Sequence, residues 1–145
     1  MKYFLVLLVF ITNSFAHPHT FIEVSPTIKV KDHKVVKLHF QWKIDEMTSS
    51  MLIMEFDQDG DGEINAKENS FVYSSYFTSL KDYNFFTIVK QDGKRLDLSK
   101  PKNFKASIIG EKICYDFDIE KEYNAKNLSF EFGDTSFFYS NDIKR

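Results

Sequence analysis

Between positions 57 and 68 the chain reads DQDGDGEINAKE, and these residue types at this spacing form a ligand set for a hard cation. Asp57, Asp59 and Asp61 put carboxylates at loop positions one, three and five. Gly62 follows at six and Glu68 closes the loop at twelve, so the calcium-loop template is filled without an exception. Calcium takes about six to eight oxygens, and alternating carboxylates on a tight loop converge on one point. Gly62 supplies the backbone bend. Glu63 is expected to offer its backbone carbonyl, Asn65 a contact through water, and Glu68 both oxygens of its carboxylate. Magnesium suits the loop less well, because it demands a near-ideal octahedron and keeps its waters.

The second group is nitrogen-rich. One Lys2, an apolar run from Tyr3 to Ile11 and then TNSFA read as a cleavable leader over residues 1–16, with Ser14 and Ala16 at the small-residue positions. The apolar run is about half the ~20 residues of a membrane span. Cleavage after Ala16 would leave His17-Pro18-His19 at the start of an exported chain without stable membrane insertion. An α-amine and two imidazoles suit zinc, nickel, cobalt or copper. Pro18 has no amide hydrogen to lose, which argues against a square-planar copper site built on a deprotonated second amide. His39, on the polar face of a strand, is the candidate third nitrogen, with Glu23 as a neighbour across the hairpin. The alternative is a solvated end with no metal.

Strands and helices must hold these groups. Ile22, Val24, Pro26, Ile28 and Val30 alternate with polar residues, as do Val36, Leu38, Phe40, Trp42 and Ile44 beyond the Asp32-His33-Lys34 turn. That period predicts a hairpin of two half-buried strands. Pro26 points to an edge position or a bulge. Leu52, Ile53 and Phe56 before the loop, and Val72, Tyr73, Tyr76 and Phe77 after it, fall at helical spacing. The segment from 45 to about 82 is thereby identified as an EF-hand, a helix–loop–helix inserted between strands. Only one such loop is present, so a partner loop is missing or the neighbouring strands pack against Ile64 in its place. Tyr83–Lys90 returns to β-rich composition, with Asp92-Gly93 as a hairpin turn and a short return strand over Lys94–Leu98. Alternation at Phe104, Ala106 and Ile108 and again at Ile113, Tyr115, Phe117 and Ile119 brackets a Gly110-Glu111-Lys112 turn, and Leu128–Phe132 and Ser136–Tyr139 add strand material. The expected fold is α+β: one antiparallel β domain over residues 17–145 carrying the EF-hand.

Composition narrows the function classes. The net charge of −2, one unit more negative without Lys2, does not suit nucleic acid or an anionic membrane. Sixteen phenylalanines and seven tyrosines supply core material. The single cysteine, Cys114, has no internal disulfide partner and is either buried and inert or a free thiol. No Ser-His-Asp order, His-Glu-x-x-His or glycine-rich phosphate loop is present.

Several segments together carry a family resemblance: AHPHTFIEV, FQWKIDEMTSSMLI, FDQDGDGEINAKE, SYFTSLKDYNFFTIVKQDGKRL and LSFEFGDTSFFYS. With them the chain resembles a family of exported proteins described as the periplasmic component of an uncharacterised ABC-type transport system, domain of unknown function family 1007. Members usually continue beyond the last motif, so a chain ending at Arg145 reads as a shorter variant or a truncated frame. The resemblance implies a periplasmic accessory role beside an inner-membrane transporter for zinc, nickel or cobalt. Two other functions remain open on the residues: a copper enzyme built on the amino-terminal histidine, and a calcium-dependent interaction module without a second metal.

Overall fold

The computed structural model describes residues 20–98 and 100–133. The expected leader, His17, His19 and the strand material at Ser136–Tyr139 lie outside the described residues. The architecture is α+β and antiparallel throughout, with its strands in two sheets. The first carries β1 (Ile22–Lys31), β2 (Lys34–Ile44), β6 (Lys112–Ile119) and β5 (Lys102–Ile109) in that spatial order, with the short β7 (Tyr123–Asn124) also paired to β2. The second runs β4 (Lys94–Leu96), β3 (Thr87–Gln91), β8 (Leu128–Phe132).

The first hairpin turns where the sequence places it, with Asp32 and His33 both left-handed at φ 50° and 60°, as a two-residue turn between twisted strands requires. β1 is an edge strand, as Pro26 implied, but the register shift falls at Lys29/Val30 rather than at the proline. Only Ile22 and Val24 of its apolar face are partly covered. Ile28 and Val30 are exposed, so the expectation of a half-buried first strand holds for its first turn of pleat alone.

The core lies under β2 and β6. Leu38, Phe40, Trp42 and Ile44 from one strand and Ile113, Tyr115, Phe117 and Ile119 from the other are all buried. Aromatic rings fill the space between the sheet and the helical insertion. Trp42 meets Phe117 edge-on at 5.0 Å between centroids, and Phe77 lies 4.2 Å from Phe104. The second sheet joins this cluster through Phe132, edge-on to Phe40 at 5.9 Å.

The helical insertion is longer than its periodicity suggested. α1 (Glu46–Phe56) and α2 (Ala66–Ser75) are followed by 3₁₀ turns over Phe77–Phe86, and β3 begins only at Thr87. Tyr83–Phe86 is therefore not strand. Asn84, Phe85 and Phe86 adopt left-handed backbone, which turns the chain into the sheet and buries the Phe85 ring. Among the described residues no helix is long and apolar enough to cross a membrane.

Candidate metal loop and the carboxylate cluster beside His39

Asp45 starts α1 by accepting the Thr48 N–H at 3.0 Å, and Phe56 closes it in the core. The chain then enters the loop at Asp57. Gly60 and Gly62 are left-handed, with φ of 73° and 84°, and a Cβ on either would meet nothing within 4 Å. Backbone conformation, not space, calls for glycine there. Asp57 organises the turn: Oδ1 accepts Gly60 and Asp61 N–H at 2.8 and 3.1 Å, and Oδ2 accepts Gly62 N–H at 2.9 Å. Asp59 accepts the Asp61 N–H at 3.3 Å, and Asp61 accepts the Glu63 N–H at 2.8 Å. One oxygen from each of Asp57, Asp59 and Asp61 lies within 4.8 Å of the other two. Three carboxylates this close repel by about 1 kcal/mol per pair in water, and more where solvent is partly excluded.

Glu68 stands outside that trio. It is only 2% exposed. Its Oε1 accepts the Gln58 N–H at 2.7 Å and its Oε2 the Asn65 N–H at 2.9 Å, so it ties the two ends of the loop together. Asn65 completes the reciprocal arrangement by accepting Lys67 and Glu68 N–H at 2.9 and 3.1 Å. This is a capping box that starts α2. Asn65 also donates from Nδ2 to Asp59 Oδ2 at 3.2 Å. Ile64 is partly buried and packs against the main core.

His39 lies on the polar face of β2, as the alternation placed it, but Glu23 is not the neighbour across the hairpin that the sequence suggested. It lies opposite Thr27 on β1 and Asp118 on β6, whereas Glu23 lies opposite Lys43, about 13 Å farther along the hairpin. The ring is hydrogen-bonded through Nδ1 to Asp118 Oδ1 at 2.9 Å, and its Nε2 lies 3.6 Å from Asp116 Oδ1, beyond hydrogen-bond distance. Lys37 Nζ and Asn103 Nδ2 reach Asp118 Oδ2 at 2.6 and 2.7 Å. Burial pushes the Asp118 carboxyl up, but the donors Asn103, Lys37 and His39 outweigh it and hold the group below the usual carboxylate range. Asp116 and Asp118 alternate with buried aromatics, which shows in the sequence. Their pairing with His39 depends on β6 lying beside β2, which no local pattern reveals. His33 is in the turn at the far end of the hairpin. Cys114 is buried, and desolvation raises its thiol further from ionisation.

A cleft of about 1050 Å³ opens between the first sheet and the insertion, lined by Phe21, Trp42, Leu52, Leu80, Phe86 and Phe132 among others. The indole N–H of Trp42, one of its lining residues, is buried and has no partner among the described residues. Among the described residues no charged side chain lines the cleft.

The chain belongs to the family described as "Protein of unknown function (DUF1007)", whose model matches residues 3–145. It is 31% identical over 90 residues to an "Uncharacterized 15.5 kDa protein in trpE 3'region" of Spirochaeta aurantia, covering 60% of this chain and 64% of that protein. Over 119 residues it is 24% identical to an "Uncharacterized protein" of Haemophilus influenzae, covering 81% of this chain and 56% of that one. The chain thus spans less than two thirds of either relative. No solved structure matches it.

Proposed function

We propose that residues 57–68 are a calcium-binding EF-hand, and that the protein is an exported, periplasmic metal-handling accessory of a transition-metal transport system. The observation that carries the calcium reading is the convergence of Asp57, Asp59 and Asp61 within 4.8 Å on a loop bent by two left-handed glycines. The donor set is all oxygen, as a hard cation needs. Glu68 fits the reading although both of its oxygens already accept an N–H. A carboxylate has about four lone-pair sites, so each oxygen keeps one for a cation. In this proposal Asp57, Asp59, Asp61, Glu63, Asn65 and Glu68 hold calcium, and the ion removes the repulsion among the three carboxylates.

The transport role rests on the resemblance to periplasmic transport components and on the HPH end expected after leader cleavage. His17 and His19, with His39 as a more distant candidate, would take zinc, nickel, cobalt or copper and exchange it with an inner-membrane partner. The division of labour follows from ligand type, oxygen for calcium and nitrogen for borderline ions. Calorimetry on the parent and on Asp59→Asn/Asp61→Asn tests the calcium reading. A dissociation constant of roughly 10⁻⁴–10⁻³ M is expected for an extracytoplasmic site. Equal affinity in the double variant would remove the loop from the proposal.

A further inference from the structure

The solvent face of α1 carries a feature that neither metal reading uses. The chain has four methionines, and apart from Met1 they are Met47, Met51 and Met54. All three lie on this one helix and all are exposed, at 61%, 49% and 78%. Their i, i+4, i+7 spacing places them within about 60° of arc, about 6 and 4.5 Å apart along the axis. The opposite face of α1 is the one that packs, with Ser49 and Phe56 fully buried and Leu52 and Ile53 against the core. Methionine is ordinarily a core filler, yet here the aliphatic residues of the helix go inward and every thioether goes outward.

We propose that Met47, Met51 and Met54 form a thioether site for a soft monovalent cation, Cu(I). Thioether sulfur is a soft donor that selects Cu(I) over zinc, calcium or magnesium. Three rotatable bonds let each side chain swing along the stripe, so sulfurs from three successive turns reach an ion held over Met51. Glu46 and Glu55 flank the stripe on the same exposed side and add negative charge to attract a cation. No histidine, cysteine or buried carboxylate on this face of α1 competes for the ion.

A second observation concerns what lies beside the stripe. The start of the described chain is fastened to the first turn of α1. Phe21 N–H donates to Asp45 Oδ2 at 3.0 Å, Asp45 N–H donates to Phe21 O at 2.9 Å, and the Thr48 and Thr20 hydroxyls are 3.5 Å apart. Thr48 directly follows Met47 and is one turn from Met51. The described chain thus begins against the turn of α1 that carries Met47. The thioether site itself uses described residues alone.

The experiment titrates Cu(I) anaerobically against a chromogenic Cu(I) chelator, using the full chain with its authentic terminus. It compares the parent, Met47→Leu/Met51→Leu/Met54→Leu, His17→Ala/His19→Ala and Cys114→Ala. Leucine keeps the exposed apolar surface and helix propensity, so the fold is retained and calcium binding serves as the control. The expected result is one Cu(I) per parent chain, lost in the leucine variant and retained in Cys114→Ala, with excess calcium failing to displace it. Ag(I), a redox-inert stand-in, should move the three methionine methyl resonances in the NMR spectrum. Loss in the leucine variant with retention in the histidine variant would support the thioether site and remove the terminus. The converse would remove the thioether site and leave the terminus. Parent and leucine variant binding alike, no Cu(I) bound by the parent, binding lost in Cys114→Ala, or unmoved methyl resonances would each overturn the proposal.

Discussion

Glu68 has two roles in the proposed loop, and one substitution separates them. Glu68→Gln keeps size and shape but exchanges one acceptor oxygen for an NH₂ group. In the parent, Gln58 N–H and Asn65 N–H donate to the two carboxylate oxygens at 2.7 and 2.9 Å. Hydrogen bonds to a charged acceptor contribute roughly 1.5–3 kcal/mol, against about 0.5–1.5 for neutral ones. In the variant one N–H keeps a neutral acceptor and loses about 1 kcal/mol. The other faces an NH₂ in a position only 2% exposed, which costs roughly 1–3 kcal/mol. The sum is about 2–4 kcal/mol without calcium, on the order of 10 °C in melting temperature for a domain of this size. Asp59→Asn should behave in the opposite way. Asp59 is exposed and holds only long contacts, 3.3 Å from Asp61 N–H and 3.2 Å from Asn65 Nδ2. Removing its charge relieves repulsion within the trio, so stability in chelator stays within about 0.5 kcal/mol of the parent or rises. Calcium affinity falls in both variants. Urea unfolding in chelator and in calcium measures all of these quantities. A Glu68→Gln protein as stable as the parent in chelator would refute the account of Glu68 as the brace of the loop. Unchanged calcium stabilisation in Asp59→Asn would refute the trio as the ligand set.

Two further predictions concern the other groups. The Asp118 carboxyl is held below its ordinary range in the folded state, so it stabilises the protein above the unfolded value near ~3.9 and loses that contribution as pH falls through the folded one. Asp118→Asn should therefore be less stable at neutral pH by roughly 1–3 kcal/mol, and the difference in urea midpoint from the parent should shrink below about pH 4; a gap that stays constant with pH would count against it. At the terminus, an added Met before His17 or a His17→Ala/His19→Ala change should weaken zinc and nickel binding and leave calcium untouched, with binding in the authentic chain falling as pH drops through about 6.5. Equal zinc and nickel affinity in all three forms would remove the terminus from the mechanism.

What the sequence disclosed follows from which interactions are local. The turn at Gly62, the three tight hairpins and the buried alternation of β2 and β6 are set within a dozen residues, and each was legible; the Asn65–Glu68 capping box is equally local but was not read from the sequence. The expected double ligation by Glu68 followed from the template, while its hold on Gln58 N–H depends on how the loop closes. What depends on neighbours far along the chain was not legible. Ile28 and Val30 alternate as well as Leu38 and Phe40 do, yet nothing described covers their end of β1. Asn84–Phe86 reads as strand by composition, and the left-handed backbone there follows from burying Phe85 beneath Phe77. The grouping of His39 with Asp118 requires β6 to pair with β2, a contact spanning 79 positions.

The same long-range contacts decide how the proposed calcium site would act. Each helix beside the loop is pinned to the sheet by a side chain that captures a backbone N–H. Ser49 Oγ, fully buried on α1, accepts from Ile113 N–H at 2.9 Å and donates to Ile44 O at 3.1 Å. Asn69 on α2 accepts from Ala106 N–H at 2.7 Å, covering part of the open edge of β5. Separating the helices would leave these N–H groups without acceptors, at about 1–3 kcal/mol for each buried one. It would also expose Phe56 and Val72, which are wholly buried. A helix pair held in this way has no low-cost open state, so calcium should stabilise the closed arrangement rather than switch it. Calcium at about 100 times its dissociation constant is expected to add roughly 2.7 kcal/mol to unfolding stability. Melting temperature should rise accordingly, while fluorescence of a hydrophobic dye should barely change. A large calcium-induced rise in dye binding would show that the helices part despite Ser49 and Asn69, and the loop would then be a sensor instead of a brace.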